Sequence, residues 1–541
     1  MTVQEEAPVL IVGGGLVGLS TAMFLARQGI ASIAIERLKT PSTLPRAAFF
    51  HMRTFELFRQ AGLEDAVRAQ SQKEFVPDGA IVAVESLAGR QIAAFIPTLN
   101  EGVEQLSPCR RWFVSQPGLE PILRRRAKQV GAKVVNGLEV IGAVQDADGV
   151  TVTVKDVETG EAHEMGGKYL IACEGAHSRI RDLMGAKLEG RGVFSNSITI
   201  YLRADLAPLI GDRNLSIIYV NNPVLSGFFR LEKGSQRGFL VVSTIGDPLA
   251  DPETAANAAV DISEARLIEL VRAAAGDPDL EVQIDGVARW RCTSDVADRY
   301  RDGRIFLAGD SAHLMPPNGG FGGNTGIHDA HNLAWKLAMV LKGQAGPDLL
   351  DTYEAERRPV GRFTVEQAYT RYVTRSAAYL GAKDFLQPAD DFEIELGYLY
   401  RSSAVVAEAG GPEDAHEDPR VSLGRPGSRA PHLWLERDGR RVSSLDLFGD
   451  GFVLLAGPDG EAWRGADVAV AGRFGETPFD IVRIGDEVLD PEGRFAEAYG
   501  LSPSGATLVR PDGFIAWRSE SLPADPSAAL LAAFDAVLGW T

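Results

Sequence analysis

The run Gly309-Asp310-Ser311-Ala312-His313-Leu314-Met315-Pro316-Pro317-Asn318-Gly319-Gly320-Phe321-Gly322-Gly323-Asn324 sets a carboxylate at the end of an apolar strand and follows it with a glycine-rich turn. A carboxylate so placed can hold a polyol, and glycines let bare backbone N–H groups approach a flat ring. Far upstream, Val9-Leu10-Ile11-Val12 runs into Gly13-Gly14-Gly15-Leu16-Val17-Gly18, a G-x-G-x-x-G fingerprint whose fixed positions are Gly13, Gly15 and Gly18. Glycines there give a pyrophosphate access to the N-terminus of the helix that follows. Glu36 closes the next apolar segment 18 residues beyond Gly18, where a carboxylate meets the ribose hydroxyls of a bound adenosine. A nucleotide turn and a distant polyol-and-ring turn suggest one long cofactor, and FAD has those parts.

Turns of this kind need elements to carry them. Residues 9–12, 16–28 and 30–35 read as strand, helix and strand, a βαβ unit. Between residues 193 and 245 the period changes to two, with Ile198, Ile200 and Leu202 on one face and Thr199, Tyr201 and Arg203 on the other. That pattern predicts a half-exposed antiparallel sheet, one wall of a substrate cavity. From Ile327 onward Ala330, Ala334, Leu337, Ala338 and Leu341 form a helical stripe. Residues 404–430 have the Ala, Gly, Pro and acidic composition of a linker. Beyond them, segments 452–456, 479–484, 507–510 and 514–518 read as strands and 494–499 and 526–538 as helices, a thioredoxin-like order. This unit has no Cys-x-x-Cys, so it is expected to pack or assemble rather than do dithiol chemistry.

The fold class expected is α/β with an α+β insert. A Rossmann-like FAD domain spans residues 1–190 and 291–403, a sheet domain for substrate spans 191–290, and the linker leads to a thioredoxin-like domain at 431–541. A chain of 541 residues with 45% hydrophobic content can bury a large core. Its net charge of −18 repels nucleic acid and anionic membranes. The acidic N-terminus and the lack of a long apolar run lead to the expectation of a cytoplasmic protein, monomeric or homodimeric, acting on a small molecule. Cys109, Cys173 and Cys292 lie far apart without metal-type spacing, so free thiols are expected and a metal site is not.

Taken in order, the motifs resemble the group A flavin-dependent aromatic hydroxylases, the family of para-hydroxybenzoate hydroxylase, phenol hydroxylase and the aromatic polyketide hydroxylases. The resemblance rests on the first fingerprint, on Tyr169-Leu170-Ile171-Ala172-Cys173-Glu174-Gly175-Ala176-His177-Ser178-Arg179, and on the Gly309-Asp310 motif. It covers roughly residues 8–400, and the remainder is similar to the C-terminal domain of the longer members. Glu174 stands where the family has Asp, one methylene shorter. The resemblance implies FAD contacts from Glu36 and Arg37, from Arg46 in the loop Pro45-Arg46-Ala47-Ala48, from Gln116, and from Arg124 toward the pyrophosphate. It adds Glu174, Asp310 on the ribityl chain, and Pro317, Gly320, Gly322, Gly323 and Asn324 around the ring.

What the resemblance implies chemically is a monooxygenase that uses NAD(P)H and O2 to hydroxylate a phenolic or polycyclic aromatic substrate through a flavin C4a-hydroperoxide. The hydroperoxide must be kept from water. NAD(P)H has no second fingerprint and is expected to visit transiently, with His177 as one residue it could meet. Oxygen transfer is faster to a phenolate than to a phenol, and Pro317, His51, Tyr201 and Arg291 are the residues expected at the reacting end, with Tyr219 a further polar candidate. Phe49, Phe50, Phe228 and Phe229 suggest an apolar or aromatic acceptor. Baeyer–Villiger insertion, antibiotic inactivation, or hydride transfer by an FAD-dependent reductase are the alternatives that the motifs leave open.

Overall fold

The computed structural model describes residues 3–40, 48–245, 262–380, 384–408 and 414–539. Near-continuous apolar strands form the first sheet, as expected where both faces are covered. Val3–Val12 lies between Ser32–Glu36 and Ala162–Ala172, with Ile305–Leu307 beyond the latter, all parallel. Helices Leu16–Arg27 and Phe321–Leu341 pack against each other beside it. The two glycine turns therefore sit at the same end of the sheet, one strand apart, where open α/β sheets bind their ligands.

A second, mostly antiparallel sheet contains Leu188–Arg203, Leu215–Asn221, Leu225–Leu231, Arg237–Ile245 and Gln283–Ala297. Ala80–Val84 and Gln91–Ile96 extend it, through a parallel pairing of Ala80–Val84 with Leu215–Asn221. Residues 191–290 thus do not contain the whole sheet, because a parallel neighbour can come from any distance along the chain. Ile198, Ile200, Leu202, Phe229 and Leu240 on one face are buried with helix Glu264–Ala275. The sheet is less exposed than expected: on the other face Thr199 and Tyr201 are buried and Arg203 alone of the three is exposed, because most of that face turns toward the first sheet's domain.

In the C-terminal unit the sheet order is Phe479–Arg483, Phe452–Ala456, Ala506–Val509, Ile515–Ser519, with the first pair parallel and the others antiparallel. That is a thioredoxin-like order, closed by helix Pro526–Leu538. Trp335 and Met339 share a core with Phe452, Leu454 and Phe534. The segment expected to be a linker is fastened down in its described part: Val406 N–H donates to Ala516, Gly427 N–H to Ile515 and Ala430 N–H to Gly513. Across this interface Glu356 accepts from Lys336 Nζ at 2.7 Å and Arg510 Nη1 at 2.6 Å, all three side chains fully buried. Glu56 accepts from Arg53, Arg429 and Ser107. All three cysteines are free, and no described helix is long and apolar enough to cross a membrane.

Candidate functional site

The first turn has no room for a side chain at Gly13 or Gly18. A Cβ on Gly18 would stand 1.9 Å from the Gly13 carbonyl oxygen, and Gly13 itself has φ +106° with the Cys173 carbonyl 2.3 Å from its Cβ position. Gly18→Ala is therefore expected to abolish FAD retention by disrupting the turn itself, whereas Gly15→Ala, whose Cβ meets no protein atom closer than 3.7 Å, is expected to leave the turn folded and to weaken FAD by crowding the pyrophosphate; flavin absorbance per protein and thermal unfolding of the apoprotein separate the two. Glu36 Oε2 accepts from Gly14 N–H at 2.6 Å and Oε1 from Leu38 N–H at 2.7 Å, which holds its carboxylate over the turn. Arg37 is exposed beside it. Arg46 lies outside the described residues.

Helix Gln116–Gln129 approaches the same turn. Gln116 Nε2 donates to Glu120 Oε1 at 2.6 Å, and Arg124 donates to Asn136 at 2.9 Å and to the Gly14 carbonyl at 3.4 Å. Arg124 Nε is buried with no partner among the described residues. A cradle of glycines with an unpaired guanidinium N–H beside it fits a pyrophosphate. Glu174 turns elsewhere: its carboxylate accepts from Ser178 Oγ and Ile180 N–H, capping helix Arg179–Leu183. Its longer side chain reaches that helix end, so Glu174 shapes the segment behind the turn. His177 is exposed.

The two turns meet through Val17. A Cβ on Gly309 or Gly326 would stand 2.8 or 2.6 Å from Val17 Cγ2. Asp310 sits exposed on the short turn Gly309–Ser311, its Oδ1 3.9 Å from the Cβ position of Gly322. Gly322 and Gly323 lie inside the first turn of helix Phe321–Leu341, so their N–H groups are among those with no intrahelical acceptor. Gly320, at φ +70°, caps that helix, and Pro317 is exposed just before it. Bare N–H donors at a positive helix end suit a ring that carries negative charge.

Asn324 is not presented to a ligand. Its Nδ2 donates to Phe49 and Gly320 carbonyls and its Oδ1 accepts from His51 N–H and Thr54 Oγ1. His51 is buried, with Nε2 3.0 Å from the Gly319 carbonyl oxygen. Burial lowers its pKa; the neutral ring donates to that carbonyl and holds the glycine turn from below. Tyr201 packs edge-on to Phe239 on the inner sheet face. Arg291 is exposed, whereas its neighbour Cys292 is buried. Alternation along strand Gln283–Ala297 thus directs Arg291 outward, away from the reacting end.

Two groups, Asp329 and Asn318, were not found by sequence reasoning. Asp329, fully buried, accepts from Gly309 N–H at 3.1 Å, His313 Nε2 at 2.8 Å and Arg357 Nε at 2.8 Å. Burial acts to raise its pKa, but Arg357 and His313 outweigh that and lower it. Asp329 lies off the apolar stripe of its helix, so no local pattern marked it. Asn318 Nδ2 lies 3.4 Å from Tyr219 Oη and 3.2 Å from Ser376 Oγ, joining the glycine turn to the sheet and to helix Asp351–Ser376. Around Tyr219 stand Phe95 and Phe228, and Phe49 stacks on Phe113 at 4.6 Å. An aromatic wall therefore faces the turn, as a planar ring substrate requires.

Residues 6–368 match the FAD binding domain family model and residues 424–540 the model for the aromatic-ring hydroxylase C-terminal domain. The chain is 51% identical to 4-methyl-5-nitrocatechol 5-monooxygenase of a Burkholderia species over 98% of each chain. It is 39% identical to tetracenomycin A2 monooxygenase-dioxygenase of Streptomyces glaucescens, over 99% of this chain and 98% of the relative. A solved ternary complex of aklavinone-11 hydroxylase with FAD and aklavinone has a TM-score of 0.91 and 35% identity, covering 99% of this chain and 100% of that one.

Proposed function

The chain belongs to the FAD-dependent aromatic-ring hydroxylases, and from that premise we propose that it uses NAD(P)H and O2 to oxygenate a small catechol or related phenol. One oxygen atom enters the ring and the other leaves as water, with two electrons from NAD(P)H. Bound FAD supplies the carrier for those electrons and the centre at which O2 is activated. Glu36 would hold the adenosine ribose, Arg124 Nε the pyrophosphate and Asp310 the ribityl hydroxyls. Gln116 and Arg37 stand at the edges of that path.

The observation that carries this reading is the Tyr219–Asn318–Ser376 contact. It ties the aromatic wall to the Pro317–Gly320 turn, so a ring lying on the wall is held against the place where oxygen is delivered and water is excluded. Tyr219 Oη accepts from Asn318 and keeps its own proton to donate to a substrate oxygen. Gly322 and Gly323 N–H groups stabilise negative charge on the neighbouring ring system, while His51 keeps the turn in place. A small acceptor is favoured by the 51% identity to a nitrocatechol monooxygenase.

The test is NAD(P)H oxidation and oxygen uptake with 4-methyl-5-nitrocatechol, 4-methylcatechol and a tetracyclic aromatic, using labelled O2. A catechol that stimulates both and yields product carrying one labelled atom is the expected result. NAD(P)H oxidation with no label in any product would favour the reductase reading instead.

A further inference from the structure

Buried guanidiniums in this protein face carboxylates. Arg53 and Arg429 meet Glu56, Arg111 meets Glu395, Arg357 meets Asp329, Arg371 meets Asp391, and Arg510 meets Glu356 and Asp512. Arg181 departs from this in part, donating to the Ser311 and Ala176 carbonyls with exposed Asp182 at 4.0 Å; the buried arginine with no carboxylate in contact among the described residues is Arg230. It is 3% exposed, makes one hydrogen bond, from Nη1 to the Ser216 carbonyl at 2.6 Å, and its Nε and Nη2 have no partner among the described residues. The rings of Phe75 and Phe113, set edge to face with each other, both lie against it, each centroid 3.8 Å from Cζ. Burial pulls its pKa below the ordinary arginine value, opposed only by Glu74. The Glu74 carboxylate already accepts from Ser115 N–H, Ser115 Oγ and Gln70 Nε2. A charge taken out of water without a counter-ion is costly, and a fold that keeps one there has a use for it.

Two features say what that use is. Nε and Nη2 lie on one edge of the guanidinium and point the same way; Arg429 grips both oxygens of Glu56 with this same edge, at 2.9 and 2.5 Å. Two parallel donors in a plane fit a planar group with two oxygens. The position is also set. Alternation along Leu225–Leu231 puts Arg230 on the face of Phe228, opposite the core residues Phe229 and Leu231. Phe113 stacks on Phe49, and a Cβ on Gly320 would stand 3.0 Å from the Phe49 Cβ. The guanidinium therefore stands behind the aromatic layer whose other end meets the glycine turn.

We infer that Arg230 recognises a planar, negatively charged two-oxygen substituent of the aromatic substrate, a carboxylate or the nitro group of a nitrophenolate. The assignment rests on the hydroxylase reading above and narrows its substrates to acidic aromatics. A nitro group that shares the charge of an ionised phenol gains from the cation, so Arg230 also favours the phenolate form, which is the more reactive toward electrophilic oxygen.

The experiment uses the FAD-loaded enzyme and follows binding by perturbation of the flavin spectrum, with 4-nitrocatechol, 3,4-dihydroxybenzoate and neutral 4-methylcatechol as probes. Arg230→Met is expected to weaken the first two by at least about tenfold and to leave 4-methylcatechol within about twofold. The phenol of bound 4-nitrocatechol, read by its own absorbance, is expected to ionise at lower pH in wild type than in solution and to lose that shift in Arg230→Met. Arg230→Lys, which keeps the charge without the fork, is expected to recover part of both effects. Equal weakening of all three probes would assign Arg230 to packing and overturn the inference, as would unchanged 4-nitrocatechol binding. If wild type binds 4-methylcatechol and turns it over but gives the acidic probes no advantage, the anion assignment falls while hydroxylation stands. If none of the three binds or stimulates oxygen uptake, the small-catechol reading falls with it.

Discussion

Asp310→Ala is expected to purify largely free of flavin and to bind added FAD roughly a hundredfold more weakly than wild type. A hydrogen bond from a neutral hydroxyl to a carboxylate contributes about 1.5–3 kcal/mol, and every 1.4 kcal/mol is about tenfold in affinity. Asp310 is placed for more than one such bond, exposed on a turn whose Gly309 N–H is pinned by the buried Asp329. Thermal unfolding of the apoprotein, measured alongside, separates a binding effect from misfolding. Asp310→Asn retains an acceptor oxygen without the charge and is expected to fall between. Flavin absorbance per protein and FAD titration of the apoprotein measure the difference. An Asp310→Ala protein that purifies fully flavinylated and active would overturn the placement of the ribityl chain at this turn.

What could be read from the sequence and what could not divide by the distance over which the cause acts. Gly18 betrays itself locally because a Cβ would meet the Gly13 carbonyl, and Gly13, Gly309 and Gly320 because their positive φ favours glycine whatever surrounds them. The strands from 215 onward show their period for the same reason. His51 and Asn324 are different: their partners, Gly319 and Phe49, lie 268 and 275 residues away, and no local pattern distinguishes a side chain that braces a turn from one that touches a ligand. Arg291 was legible in principle, since period-two alternation with the apolar Cys292 directs it outward. The residues 404–430 misled because glycine and proline composition describes how a segment can bend, while the buried Arg429 that fastens it answers to Glu56, 373 residues earlier.

That contact carries the second large effect. Glu56 is 2% exposed and sits between Arg53 and Arg429, with Ser107 donating to Oε1. Burial acts to raise its pKa, but the two arginines more than offset this and lower it from 4.5 to about 2. A carboxyl depressed in the folded state contributes stability that is fully present above its unfolded pKa and is lost as pH falls through the folded one. The window is therefore about pH 4.5 down to about 2, and the contribution is on the order of 3 kcal/mol. Glu56→Gln removes it at every pH and leaves two buried guanidiniums facing an amide, a change that costs about 3–5 kcal/mol. The midpoint of thermal unfolding at neutral pH is expected to drop by about 3–5 °C, and stability between pH 5 and 2 is expected to decline less steeply than in wild type. Because Arg429 leads into the thioredoxin-like unit, the loss is expected first as release of that unit from the flavin domain, seen as faster proteolysis near residue 429 while flavin is still bound. Wild-type stability in Glu56→Gln, with an unchanged acid profile, would show instead that Leu106 O and the other local acceptors satisfy both arginines without the carboxylate.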